Sequence, residues 1–290
     1  MSTVVFTLAF GASKYAKFAL GLGRSLRVIG DQHKRVLVTD IRRDDWHPAF
    51  DHVVYTSPPA NPYHAKFHAF RYFDAERVLF IDADSLVFRR LDPIFAAFAG
   101  HELGVQGWQI GVGDEWWGDT ATVLQRTGLP GLTQFNGGLL YYENRPETEA
   151  LFREVEKVRE HYDETGFNGF RGHVPDEPCL SVAMARTGLG YCVPDTADFI
   201  NTGTGLIGKL QMDVTRGHCQ FVCRRRDLRV VRPIVLHAHL HAQYLPYWRQ
   251  LRKLAWLEKY ENAHPFGYMS RGHKLRRSIE RRLLKLQGRI

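Results

Sequence analysis

Apolar runs of strand length alternate with amphipathic runs of helix length through the first third of the chain. Val4 to Phe10 (VVFTLAF) is almost wholly apolar, and Ser13 to Arg27 (SKYAKFALGLGRSLR) repeats apolar residues at helical spacing, with Ser13 available as its cap. Arg35 to Asp40 (RVLVTD) and His52 to Thr56 (HVVYT) predict two further strands, Ala65 to Phe73 a helix, and RVLFIDAD from Arg77 a fourth strand. Strands that stay apolar on successive positions are covered on both faces, so the pattern predicts an α/β fold: one Rossmann-like sheet, mostly parallel, with helices on both sides. Farther along the spacing predicts a strand over Gly138 to Tyr142, a helix from about Glu147 to His161, a short helix from Asp176 to Arg186, and a late strand RPIVLHAH ending at His239. Repeats, low-complexity tracts and Pro/Ser linkers are missing, which predicts one domain over residues 1–264 and a separate tail over 265–290.

Charge sharpens that division. Between Phe266 and Ile290 eight basic residues stand against Glu280 alone, so +7 of the chain's formal +8 lies there and the body is close to neutral. The high pI therefore belongs to the tail and does not predict a nucleic-acid-binding domain. Leu275, Ile279, Leu283 and Leu286 recur at helical spacing among those arginines, which predicts a basic amphipathic helix: either a peripheral anchor on an anionic membrane or a terminal helix docked on the body. The opening MSTVVFTLAF lacks a basic n-region and reads as a first strand instead of a signal peptide. No apolar run reaches bilayer-spanning length. Cys179, Cys192, Cys219 and Cys223 form no CxxC pair, so idle thiols in a reducing cytoplasm are expected, although Cys219 and Cys223 beside His218 have half the ligands of a metal site.

The candidate chemistry centres on RVLFIDADSLVF (Arg77 to Phe88), where an apolar strand ends on two carboxylates. In extended backbone Asp82 and Asp84 share a face and can converge on one cation. Adjacent carboxylates raise each other's pKa unless a cation neutralises them, and hard oxygen ligands suit Mg²⁺ or Mn²⁺. A nucleophilic phosphatase of the haloacid-dehalogenase type would open its domain on such a pair and carry Thr or Val where this chain has Leu86.

Five segments, one of them containing the pair, carry a stronger signal. They are Val4 to Arg27, AKFHAFRYFDAERVLFIDADSLVFRRLDPIF (Ala65 to Phe95), QFNGGLLYY (Gln134 to Tyr142), PDEPCLSVAM (Pro175 to Met184) and HLHAQYLPYW (His239 to Trp248). In this order they resemble glycosyltransferase family eight, the group of glycogenin and bacterial lipopolysaccharide galactosyltransferases. The resemblance implies the GT-A fold and retaining transfer of a hexosyl group from a UDP-sugar, with Mn²⁺ (or Mg²⁺) as cofactor. It implies that Thr7, Leu8, Ala9 and Tyr15 frame uracil and ribose, and that Lys66 pairs with the donor diphosphate or sugar. Asp82, Ala83 and Asp84 would meet the metal and diphosphate, and Asn136, Gly137 and Gly138 the sugar. Asp176 and Glu177 become the nearest catalytic candidates, Glu177 standing where the family has Gln. Counting back from Pro246 makes His239 the third metal ligand, with His237 and His241 competing for that role. Ala242 and Leu245 replace the Gly and the phosphate-binding Lys of the family's last motif, and Lys209 or an arginine from Arg224 to Arg226 is the available substitute.

Plainer roles stand beside these. Thr7 and Tyr15 can serve strand and helix packing, Asn136 to Gly138 a turn, and Asp176 an N-cap. Trp116 and Trp117 in GDEWWGD suit an acceptor platform or a packed lid. The expected acceptor is a glycan, glycolipid or protein, in the cytoplasm or at the inner membrane face. Rival functions are a nucleotidyltransferase using a nucleoside triphosphate and a degenerate sugar-nucleotide-binding protein without turnover.

Overall fold

The computed structural model describes residues 2–239 and 245–261. The tail over 265–290 and the segment with His241 and Ala242 lie outside the described residues. The strands are β1 (Thr3–Ala9), β2 (Lys34–Thr39), β3 (His52–Tyr55), β4 (Arg77–Ile81), β5 (Ser85–Val87), β6 (Leu103–Ile110), β7 (Leu132–Phe135), β8 (Leu139–Glu143), β9 (Tyr191–Pro194), β10 (Ile200–Asn201), β11 (Leu206–Asp213), β12 (His218–Cys223), β13 (Arg229–Val231) and β14 (Val235–His237). The helices are α1 (Ser13–Val28), α2 (Asp92–Phe98), α3 (Thr120–Thr127), α4 (Pro146–Glu160), α5 (Tyr162–Thr165), α6 (Asp176–Thr187) and α7 (Leu245–Glu261).

Eight strands form one mixed sheet in the order β3-β2-β1-β4-β8-β6-β7, with β9 on the other side of β6. Its first four strands are parallel, and β8 joins β4 antiparallel. Both faces of this half are apolar because alternate residues serve different layers. Val4, Phe6, Val36, Val38, Val78 and Phe80 pack with Leu151 and Val155 of α4 and Leu180 of α6. Val5, Leu79 and Ile81 pack with Leu22 and Leu26 of α1 and Phe95 of α2. The expected helices on both faces are thus present. Two smaller sheets accompany the large one, β10-β14-β5 and β11-β12-β13, where a single sheet was expected.

Several local expectations are corrected. Ser13 is the first helical residue and Ala12 occupies the cap position without a side-chain bond, so the Ser13 hydroxyl does not cap α1. The helix expected over Ala65 to Phe73 is a 3-10 stretch, His64–Arg71, broken by non-helical backbone at His68. The late strand covers only Val235–His237. Pro175 holds the cap position of α6, which leaves Asp176 at the first helical turn.

Asp31 ties the layers together after α1. Its side chain is fully buried, accepting from Leu91 N at 2.9 Å, His33 N at 3.1 Å and His33 Nδ1 at 2.8 Å. Burial raises its pKa, but the bonds from His33 and Leu91 outweigh burial and hold it below the ordinary 3.8. A depressed carboxylate contributes stability above its ordinary value and loses it as pH falls through the folded value. Asp31→Ala, which strands the Leu91 N–H, is expected to cost about 2 kcal/mol at pH 7. In urea unfolding the gap between variant and native protein should narrow below pH 4; a gap unchanged down to pH 2 contradicts this account.

Candidate functional site

The carboxylates converge through a turn, not through extended backbone. Asp82 leaves β4 with its N–H bonded to Gly138 O at 2.9 Å, and Ser85 N returns to Asp82 O at 3.0 Å. The chain thereby crosses from the large sheet into β5. There β14 lies antiparallel with His237 opposite Ser85, and Ala238 N donates to Asp84 O at 3.0 Å. This register carries the His237 ring onto the pair: Nε2 is 3.4 Å from Asp82 Oδ2 and 3.2 Å from Asp84 Oδ1. Among the described residues Asp82, Asp84 and His237 are the group able to share a metal ion, their ligand atoms all within 4.8 Å of one another. His239, preferred by counting, lies on the exposed side with its ring 5.8 Å from that of His237. Among the described residues the imidazole at the carboxylates is His237, because strand pairing, not distance from Pro246, carries its ring there.

Asn136 sets the ring's orientation. Its Oδ1 accepts from Gly138 N at 2.8 Å and faces His237 Nδ1 at 3.0 Å. With Nδ1–H donating to that oxygen, Nε2 faces the carboxylates, pairing with them when protonated and able to serve as a metal ligand once the proton leaves. A Cβ on Gly138 would stand 2.4 Å from His237 Nδ1, so the close approach demands glycine. Burial raises the Asp82 pKa; the charge of His237 and its bond keep Asp84 low against the same effect. Burial works against a charged His237, but the Asp84 and Asp82 charges prevail and push its pKa up to about 9. Two oxygens and one imidazole nitrogen fit a hard or borderline divalent cation, Mn²⁺ or Mg²⁺.

A second charged group lies beside the first. Lys66, buried, donates to Gly137 O at 2.8 Å and pairs with Asp176 Oδ2 at 2.9 Å. Burial lowers its pKa, yet the Asp176 and Asp82 charges overcome this and the net direction is upward. Glu177 Oε1 accepts from Gly137 N at 2.7 Å and Oε2 from Trp117 Nε1 at 3.0 Å. Desolvation and the Asp176 charge push the Glu177 pKa up to about 7.

These groups line a cavity of about 1340 Å³ outside the carboxyl end of β4, where ligands sit in open α/β sheets. Of the residues expected from sequence, Leu8, Tyr15, Lys66, Asp82, Ala83, Asp84, Asn136, Gly137, Gly138, Asp176, Glu177, His237 and His239 reach its wall. Thr7 and Ala9 are each 1% exposed within the sheet, and the Thr7 hydroxyl finds no partner among the described residues. Lys209 is exposed on β11, away from the wall, whereas Arg225 and Lys14 line it. Trp116 is buried against Phe135 and Phe167, and both Trp116 and Trp117 contribute to the cavity wall. The Trp117 contact with Glu177 had no sequence signal, because neither its loop conformation nor its long-range partner follows from local pattern.

No family model matches the chain, and no curated protein matches it. Solved structures do. An active-site mutant of LgtC aligns with a TM-score of 0.57 at 16% identity, covering 87% of this chain and 95% of that one. The galactosyltransferase LgtC in complex with donor and acceptor sugar analogs gives 0.56 at 16% identity with the same coverage. The bifunctional glycosyltransferase WbbM, in its apo form, gives 0.53 at 13% identity over 87% of this chain and 51% of that one, about half its length. Together with the mixed sheet layered by helices, these likenesses establish that the chain has the GT-A fold of glycosyltransferases, the fold to which its sequence motifs pointed.

Proposed function

We propose that this chain transfers a hexosyl group from a UDP-sugar to a glycan, glycolipid or protein acceptor, dependent on a divalent metal and with retention at the anomeric carbon. The observation that carries this reading is the Asp82, Asp84 and His237 cluster at the carboxyl end of β4, opening on a cavity with room for a nucleotide-sugar. A cation held there would act as a Lewis acid on the donor diphosphate as UDP departs. The chain's own residues do the rest. Tyr15 and Leu8 offer a flat apolar wall for the base, and Arg225 and Lys14 supply positive charge at the rim, where Leu245 replaces the family's lysine. Lys66 holds Asp176 and the Gly137 carbonyl in place, so that Asp176 and Glu177 face the sugar as carboxylates. We assign the reaction to the cytoplasm and the basic tail, on its charge, to the inner membrane face. Among the described residues no helix is long and apolar enough to cross a membrane.

Calorimetric titration with UDP in Mn²⁺ tests the reading. Binding with a Kd on the order of 10 µM, about −7 kcal/mol, is expected, and EDTA should abolish it. Binding of nucleoside triphosphates alone moves the assignment to nucleotidyl transfer. UDP-sugar binding with no product formed identifies a protein that has lost turnover.

A further inference from the structure

Trp117 holds an uncommon backbone conformation. Its φ is 55°, in the left-handed region that bulky residues rarely adopt, and Gly118 follows at φ 135°. Such strain persists only where surrounding contacts impose it. Here they do: Trp116 N donates to Gly118 O at 3.0 Å, and Asn168 N to Trp117 O at 2.7 Å. Asn168 is tied in turn by Tyr162, whose hydroxyl donates to its carbonyl at 2.8 Å. The Trp116 ring anchors the loop in the core while the Trp117 ring meets Phe170 edge-on at 5.4 Å. What the strained loop delivers is one N–H, that of the Trp117 indole, 3.0 Å from Glu177 Oε2. The other Glu177 oxygen takes the Gly137 N–H at 2.7 Å. One carboxylate is thus pinned by donors from two loops far apart in sequence.

We infer that Trp117 is a positioning residue that, together with the Gly137 N–H, fixes Glu177 in a single orientation on the cavity wall and favours its charged form. The inference rests on the reading of Glu177 as part of the sugar-transfer site. Hydrogen bonds to the ionised form stabilise it against desolvation and against the neighbouring Asp176 charge, which both press toward protonation. A fixed anionic carboxylate suits a reaction in which positive charge develops on the sugar ring. Without the indole N–H, Glu177 loses one of its two charge-assisted bonds and becomes a stronger base that is free to turn.

Trp117→Phe keeps an aromatic ring and removes the N–H. The Glu177 carboxyl, followed by carbon NMR and assigned by its loss in Glu177→Gln, should titrate about one pH unit higher in this variant, a tenfold change in proton affinity. Hydrolysis of UDP-hexoses in Mn²⁺ should show kcat lowered about tenfold at pH 7, KM within about twofold, and the acid limb of the pH profile displaced by the same unit. A folded Trp117→Phe protein with native Glu177 titration and native pH profile overturns the inference. Should that variant not fold, the native protein decides: the Trp117 indole nitrogen resonance should move with pH at the Glu177 midpoint and be flat in Glu177→Gln, and a flat native response overturns it equally. Absence of turnover with every UDP-hexose counts against the transferase reading, while the two NMR titrations still decide the link between Trp117 and Glu177.

Discussion

Asp82→Asn and Asp84→Asn should each weaken Mn²⁺-dependent UDP binding by at least about 100-fold while leaving the fold intact. Loss of residues that merely support metal ligands costs about 10- to 100-fold, and these two would be the ligands themselves. Asparagine keeps the shape of the side chain, so the turn from Asp82 to Ser85 and the pairing of β14 on β5 are undisturbed. In Asp82→Asn it also removes a carboxylate whose charged form burial disfavours, whereas Asp84→Asn takes from the fold a charge that His237 favours. The thermal midpoint of Asp82→Asn in EDTA should therefore hold steady or rise as binding disappears, while that of Asp84→Asn should fall modestly with the loss of its His237 pairing. The opposition in Asp82→Asn separates a ligand from a structural residue, since a structural residue loses both together. His237→Ala should weaken binding at least tenfold more than His239→Ala, because the His237 Nε2 stands within 3.4 Å of both carboxylates. Native affinity in either Asp variant, or the reverse ranking of the histidines, refutes the assignment.

Sequence made the parallel half of the sheet legible because each of its strands is apolar on both faces and flanked by polar residues. β1, β2 and β4 fall where the apolar runs of Val4 to Phe10, Arg35 to Asp40 and Arg77 to Ile81 lie, and α4 and α6 follow their helical spacing within a residue or so. Asp82, Asp84 and the Asn136 to Gly138 turn sit at element ends, and with Lys66, expected from the resemblance alone, they do line one cavity. What stayed hidden depends on long-range register. That His237 meets the carboxylates follows from how β14 pairs with β5, some 150 residues earlier, and alternating imidazoles look alike in one dimension. The same holds for the pairing of β10, only two residues long, with β14, and for the small β11-β12-β13 sheet, whose strands mix polar and apolar residues instead of forming apolar runs. Thr7 was expected at the base through the resemblance alone, and the structure places its hydroxyl buried within the layer.

Lys66→Met is expected to be the most damaging single change to the stability of the site. The ammonium lies in a side chain only 5% exposed, 2.9 Å from an Asp176 carboxylate that is 10% exposed. Taking away one member of a buried pair strands the other charge, at a cost of about 3–5 kcal/mol. It also removes the donor to Gly137 O, the carbonyl of the same residue whose N–H supports Glu177. In a chain of this size each kcal/mol shifts the midpoint by about 2–4 °C, so a fall on the order of 10 °C is expected. Adding Asp176→Asn should restore roughly half of that loss by removing the stranded charge, without restoring donor turnover. Native lysine has its pKa raised by Asp176 and Asp82, so its contribution is complete below the ordinary value of 10.5 and is lost only as pH rises through the higher folded value. The stability gap between native protein and Lys66→Met should accordingly be flat from pH 8 to 10 and close above that. A gap that closes near neutrality means that lysine is not charged in the native fold, and the Lys66–Asp176 pair then cannot be what holds Asp176 and Glu177 in place.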